Sequence, residues 1–241
     1  NSIPEMLRRS FSQLRMGRPG PVLLEIPSDI LRGEIPEDLG TSYNPVVSKR
    51  SAGDPQDIKI AAKMLLRAQR PIIQAGQGVL YANSSEKLKQ LAELSGVPVM
   101  TTMAGKSSFP ENHPLSLGTR SSTTTDMVVH FLDKSDLILG VGCSFTRIHY
   151  GMNEFDKKIL MQVTNCPDDV NKDYSPDHVI IGDAELVLDE LIAELKDLLE
   201  RTNEYQPFDF NDEIDTVRTQ WLENWMPYLT SDETPINPYR V

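Results

Sequence analysis

Residues 54–101 read DPQDIKIAAKMLLRAQRPIIQAGQGVLYANSSEKLKQLAELSGVPVMT, and two periodicities alternate in them. Ile58, Ala61, Ala62, Leu65 and Leu66 recur at helical spacing behind Asp54 or Asp57, either of which can accept a hydrogen bond from a first-turn amide. Pro71–Ala75 is then a short, mostly apolar run closed at Gly76, as expected of a strand covered on both faces. Ser84 or Ser85 opens a second helix with Leu88, Leu91 and Leu94 on one stripe, and Gly96 stops it. Val97–Thr101 repeats the strand. Parallel strands cannot be joined by a tight turn, so helix, strand, helix, strand predicts crossover connections and a parallel sheet.

The same alternation continues downstream. Thr124–Leu132 is predicted helical, Leu137–Val141 and Ile159–Val163 are predicted strands, and His178–Ile181 is a last short strand. Glu185–Leu199 is a strong helix with Leu188, Leu191, Ile192, Leu195 and Leu198 on one face. The expected fold is α/β: a doubly wound, mostly parallel, six-stranded sheet with helices on both faces, Rossmann-like in type. Upstream, Ser2–Met16 has helical spacing with Pro4 tolerated in the first turn. Gly17–Pro21 stops that helix, and Val22–Ile26 reads as a buried strand closed by Pro27. The stretch 31–53 is aperiodic and rich in Pro, Gly, Ser and charge, as a linker would be. From Asn203 the chain turns acidic and aromatic, ending in a loop over Thr234–Tyr239.

Composition narrows the function classes. The chain has 241 residues, 39% hydrophobic and 24% charged, ordinary values for a globular α/β protein. Two cysteines, Cys143 and Cys166, could form one bridge at most, which excludes a disulfide scaffold and favours reduced thiols in the cytoplasm. Twenty-four Lys and Arg stand against 35 Asp and Glu, a net charge of −11. Such a field repels phosphate backbones and anionic lipid, so neither nucleic acid nor membrane is an expected partner. No apolar run approaches bilayer length. The chain opens on Asn1 without a signal or transit pattern, and reads as a piece of something longer.

In an open parallel sheet, ligands bind beyond the carboxyl ends of the strands. Three successive strands run there into glycine: Gly76-Gln77-Gly78, Thr102-Met103-Ala104-Gly105 and Gly142-Cys143-Ser144. Glycine lets a backbone approach a phosphate or ring closely, but it also makes tight turns. The spacing is no dinucleotide fingerprint and any one loop fits either use, but three such loops on successive strands point to a nucleotide-shaped crevice or the remnant of one. The four histidines are scattered without metal spacing, and His113 between Asn112 and Pro114 reads as a loop-fixing hydrogen-bonder. Cys143 reads as small core filler, Asp168-Asp169 as a helix-starting pair, and the acidic run Asp209–Asp215 as a solvated face. No residues form a catalytic constellation, and no metal ligands are assigned.

An ordered set of motifs adds a resemblance: GRPGPVLLEIPSDI (Gly17–Ile30), RPIIQAGQGV (Arg70–Val79), VPVMTTMAGKSSFPENHPLSLG (Val97–Gly118), SDLILGVGCSF (Ser135–Phe145) and VIIGDAELVLDEL (Val179–Leu191). Together they resemble the thiamine-diphosphate-dependent enzymes of the acetolactate-synthase type. Members of that family have a pyrimidine-binding domain, a central domain and a pyrophosphate-binding domain. The resemblance implies that 1–30 is the tail of the first, 31–53 a linker, 54–202 the Rossmann-like central domain, and 203–241 a linker toward the third. It implies a parent that uses thiamine diphosphate and Mg to decarboxylate or ligate 2-oxo acids, and that is homo-oligomeric. The family's ylide-promoting glutamate and metal-holding GDG…N motif belong to the outer domains, so the isolated chain is expected to be inactive and not to bind thiamine diphosphate. Gly182-Asp183-Ala184 is not that metal motif.

Family members hold FAD, ADP or nothing in the central domain. The resemblance carries the nucleotide contacts to Gly76, Gln77, Gly78, Thr102, Met103, Gly105, Gly142, Ser144, Asp183 and Ala184. The charged contacts of flavin-binding members do not carry over: Ser144 and Thr146 stand after the third glycine with Arg147 out of register, and Thr164 and Cys166 replace acids on the following strand. A tightly held flavin is therefore not expected. The alternative is a stand-alone nucleotide- or dinucleotide-binding Rossmann-like regulatory module.

Overall fold

The computed structural model describes residues 2–38, 44, 47–121, 124–147, 155–201 and 205–240. The chain divides into two compact units, Asn1–Ser51 and Ala52–Val241.

In the first unit, helix α1 (Ile3–Arg15) carries Pro4 in its first turn, and short helix α2 spans Ser28–Leu31. No residue of α1 is buried. The expected strand over Val22–Ile26 is absent: these residues lack strand hydrogen bonding, and Leu23 is 86% exposed. An apolar run becomes a strand only where neighbouring strands take its backbone N–H and C=O groups. Among the described residues this unit contains no other strand.

The second unit begins with α3 (Pro55–Arg67), whose N-terminus is capped by Asp54 accepting from Gln56 N at 2.8 Å. Next come β1 (Pro71–Ala75), α4 (Gln77–Tyr81), α5 (Ser85–Ser95), β2 (Val99–Thr102) and β3 (Ser116–Arg120). Then follow α6 (Asp126–Lys134), β4 (Leu137–Val141), β5 (Ile159–Thr164), β6 (His178–Ile181), α7 (Ala184–Arg201) and α8 (Asn211–Leu229). The six strands are ordered β3-β2-β1-β4-β5-β6, and every pairing is parallel. The chain steps outward from β1 to β3, returns to the centre and steps outward again. Right-handed crossovers in opposite directions put their helices on opposite faces of the sheet. Helices α3 and α5 pack with α7 on one side, while α6 packs with α8 on the other. The reversal of direction falls between β1 and β4, which makes that boundary the switch point where a crevice opens.

The sixth strand is β3, which sequence periodicity does not announce. It carries one fully buried leucine, Leu117, and pairs with β2 alone. Strand β2 starts at Val99 rather than Val97, since Pro98 has no N–H to donate to the ladder. The region beyond 203 also differs from a plain lead-out. Tyr205 and Ile214 are buried, Phe208 and Phe210 pack against the core, and α8 runs for 19 residues. Gly96, at φ +72°, lies so close to the Phe208 carbonyl that a Cβ there would meet its oxygen at 1.8 Å. Among the described residues no helix is long and apolar enough to cross a membrane.

Candidate functional site

Strand β1 delivers Gly76-Gln77-Gly78 to the switch point, and strand β4 delivers Gly142-Cys143-Ser144 beside it. The two loops interlock through backbone. Gly76 N donates to Val141 O at 2.8 Å, and Gly78 N donates to Gly142 O at 2.9 Å. A Cβ on Gly78 would meet Gly142 Cα at 2.6 Å, and one on Gly142 would meet Gly78 Cα at 2.7 Å. The loop after β2 joins them: a Cβ on Gly105 would fall 2.5 Å from Ala75 O, while Gly105 N is bonded to Thr102 Oγ1 at 3.0 Å. Asp183 and Ala184 follow β6, with Ala184 opening α7, a helix that α4 touches. Asp183 Oδ1 accepts from Glu185 N at 3.1 Å, the pairing of a helix N-cap.

These bonds test the residues against the cofactors that the sequence brings into view. A phosphate cradle needs unpaired N–H donors. Here the amides of Gly76, Gly78 and Gly105 are spent within the protein, as is that of Gly142, which donates to Val163 O at 2.9 Å. The glycines act as close-packing joints between loops, and these four amides are not free donors for a phosphate of FAD or ADP. The rim stays accessible: Gln77 and Met103 are exposed, and Ser144 is half-buried with its hydroxyl 2.8 Å from that of Thr146. Thr164 closes its own turn, accepting from Cys166 N at 3.1 Å. Arg147 turns toward the loop after β5, with its N–H on Asp173 Oδ2 at 2.9 Å and its guanidinium 5.4 Å from the Tyr174 ring centre. Among the described residues no three His, Cys, Asp or Glu side chains converge as a metal site.

Behind the crevice lies a buried polar rung that sequence reading missed. Gln74, Gly140 and Gln162 are register partners on adjacent strands. Gln74 Nε2 reaches Cys143 Sγ at 3.5 Å, and Gln162 Nε2 donates to Cys143 O at 3.1 Å and to Asp169 O at 3.3 Å. Gly140 leaves the space that Cys143 Sγ and the Phe145 ring fill. Burial pushes the Cys143 thiol up to about 11 despite the nearby Gln74 amide, so it is core filler rather than a nucleophile. Asp168 and Asp169 close a single 3₁₀ turn, Pro167–Asp169.

The histidines serve structure. His113 Nδ1 accepts from Leu115 N at 3.2 Å, fixing its loop as expected, and His178 Nε2 donates to Asp57 O at 2.8 Å. His149 lies outside the described residues. His130 joins a cluster that no sequence spacing reveals: its Nε2 is 2.7 Å from Glu213 Oε1, and Arg70 Nη2 is 2.8 Å from both oxygens of the same carboxylate.

Comparison with known proteins agrees with this fold. Residues 58–191 match the family profile described as "Thiamine pyrophosphate enzyme, central domain". The chain belongs to that family and contains its central domain. Among curated relatives, it is 33% identical over 256 residues to "Probable acetolactate synthase large subunit" of Methanococcus aeolicus, covering 99% of this chain and 41% of the relative. It is 33% identical over 193 residues to "Glyoxylate carboligase" of Escherichia coli O157:H7, covering 79% of this chain and 32% of the relative. The benzoylformate decarboxylase structure from Polynucleobacter necessarius superposes with a TM-score of 0.69 at 25% identity, over 80% of this chain and 36% of that one. The chain thus spans about two-fifths of the length of the first curated relatives it matches.

Proposed function

We propose that this chain acts as the central module of a thiamine-diphosphate- and Mg-dependent enzyme that decarboxylates or ligates 2-oxo acids in the manner of acetolactate synthase. The observation that carries the reading is the family match over residues 58–191, together with named relatives of that chemistry. The exposed apolar face of α1, with Met6, Leu7 and Leu14, supports assigning residues 1–30 to a neighbouring domain of the same enzyme. In this reading residues 54–202 space the two cofactor-binding domains, and the cofactor's own chemistry supplies the carbanion. The segments 31–53 and 203–241 lead into and out of the module. A cytoplasmic, homo-oligomeric parent is proposed on the same footing, with the two free thiols consistent with a reducing compartment.

The chain by itself is proposed to be catalytically inactive. The Asp183 carboxylate caps a helix, and among the described residues no three His, Cys, Asp or Glu side chains form a metal-holding group. The glycine loops are proposed to hold the switch point closed against a tightly bound flavin. Any nucleotide contact would fall to the rim residues Gln77, Met103 and Ser144. A free-standing nucleotide-binding module draws no support from a crevice whose glycine amides are already bonded.

A chimera tests the reading directly. Residues 58–191 replace the corresponding segment of the Methanococcus aeolicus relative, and acetolactate formation from pyruvate is measured with thiamine diphosphate and Mg. Retained turnover is expected; a folded chimera without turnover counts against the proposal. The isolated chain in the same assay is expected to match a heat-denatured control.

A further inference from the structure

Helix α8 is held by an unusual balance of forces. Ile214 is its one buried residue over 19 positions, whereas α7 buries six over 18. Val217 and Trp221 on the same face are only partly buried. So thin an apolar contact gives little docking energy. Against it stands Glu213, in the first turn of α8. Arg70 Nη2 lies 2.8 Å from both of its oxygens, His130 Nε2 lies 2.7 Å from Oε1, and Lys134 Nζ lies 3.4 Å from Oε1. Three basic groups, two from α6 and one from the loop ahead of β1, thus converge on one carboxylate.

The principal cation is preorganised. The Arg70 guanidinium sits 5.7 Å from the Phe131 ring centre and 5.1 Å from that of Phe210, and its backbone N–H is fixed by Asp136 Oδ1 at 2.8 Å. Lys134 Nζ and His130 Nε2 are also 3.1 Å apart, so Arg70, His130 and Lys134 are gathered around the one Glu213 carboxylate. The second polar attachment of α8 is different in kind. Arg218 donates to the Pro114 and Ser116 carbonyls at 3.2 and 2.9 Å, and those carbonyls can turn to water instead.

We propose that Glu213 is a charge latch that docks α8 on the α6 face, and that neutralising it releases α8 while the parallel sheet stays folded. Asp126 of α6 lines the same groove as Glu213, together with Thr216 and Gln220 of α8. Asp126, His130 and Lys134 of α6, Arg70 ahead of β1 and Asp136, whose carboxylate holds the Arg70 N–H, are charged or titratable groups that bear on the latch. Burial pushes the Glu213 carboxyl up, but hydrogen bonds from Arg70 and His130 and the Arg70 charge outweigh it and hold it at about 2, below its ordinary 4.5. A lowered carboxylate favours the docked state above its ordinary value, and that contribution is lost as pH falls from 4.5 toward 2.

Hydrogen exchange of the full chain tests the latch, with Glu213→Gln as the isosteric variant. At neutral pH the α8 amides are expected to exchange roughly tenfold faster or more in the variant, while those of β1 and β4 keep their protection. The chain's two tryptophans, Trp221 and Trp225, both lie on α8, and their emission should shift to the red. On acidification from about pH 4.5 toward about pH 2 the wild type should converge progressively on the variant. Equal α8 exchange in the two proteins overturns the proposal. So does acceleration of α8 and β1 together, which would mean global destabilisation. Should the variant fail to accumulate, wild-type exchange at about 1 M against about 0.05 M salt decides: selective α8 acceleration supports the latch, and its absence overturns it.

Discussion

Gly142 joins the two loops of the crevice through a backbone that few other residues could adopt. Its φ of +60° is left-handed, and an added Cβ would press on Gly78 Cα and Val79 N, both main-chain atoms that cannot swing aside. Gly142→Ala should therefore cost about 2–4 kcal/mol, read as a lower urea midpoint with an unchanged slope. One residue along, the buried Cys143 thiol stands at about 11 and is protonated at neutral pH. In the folded protein a thiol reagent should titrate Cys166 and leave Cys143 unmodified until denaturant is added. The glycines of this site were legible in the sequence as a cluster at the strand ends. Their use was not, because an amide donor is free or spent only according to which carbonyl folding brings to it.

At the scale of elements, a helix capped by its own neighbour is readable in advance. Asp54 ahead of α3 accepts from Gln56 N as its position suggests, and Asp54→Ala should lower stability by about 1 kcal/mol in chemical denaturation. Gly96 likewise ends α5 at φ +72° where the apolar stripe stops. Elements without a local signature were misjudged. Val22–Ile26 has the composition of a strand but no neighbour to pair with among the described residues of its unit, and it stays unpaired and largely exposed. Ser116–Arg120 lacks that composition, yet it becomes β3 because β2 offers it a hydrogen-bonding edge. Helix α8 has only weak amphipathic patterning, since much of its attachment runs through Glu213 and Arg218 to partners 79 to 143 residues away.

At the scale of the molecule, the two units differ in how they are built. The second holds the whole sheet, while in the first α1 buries nothing. Limited proteolysis should trim residues 1–51 and leave a folded fragment that retains the thermal transition of the intact chain. Loss of that transition together with the trimming would show the units to be interdependent. An absorption spectrum of the purified chain should lack a stoichiometric flavin band, since the amides of Gly76, Gly78, Gly105 and Gly142 are already paired. By itself the order of apolar runs and stop signals determined the doubly wound parallel sheet, because burial on two faces and helical stripes are properties of adjacent residues. Only the tertiary structure decided which run became the sixth strand, whether the glycines cradle a phosphate or close on one another, and that Arg70, His130 and Lys134 meet Glu213. Each of those depends on pairing between groups far apart in the chain, and that pairing exists only once the sheet has brought them within hydrogen-bond reach.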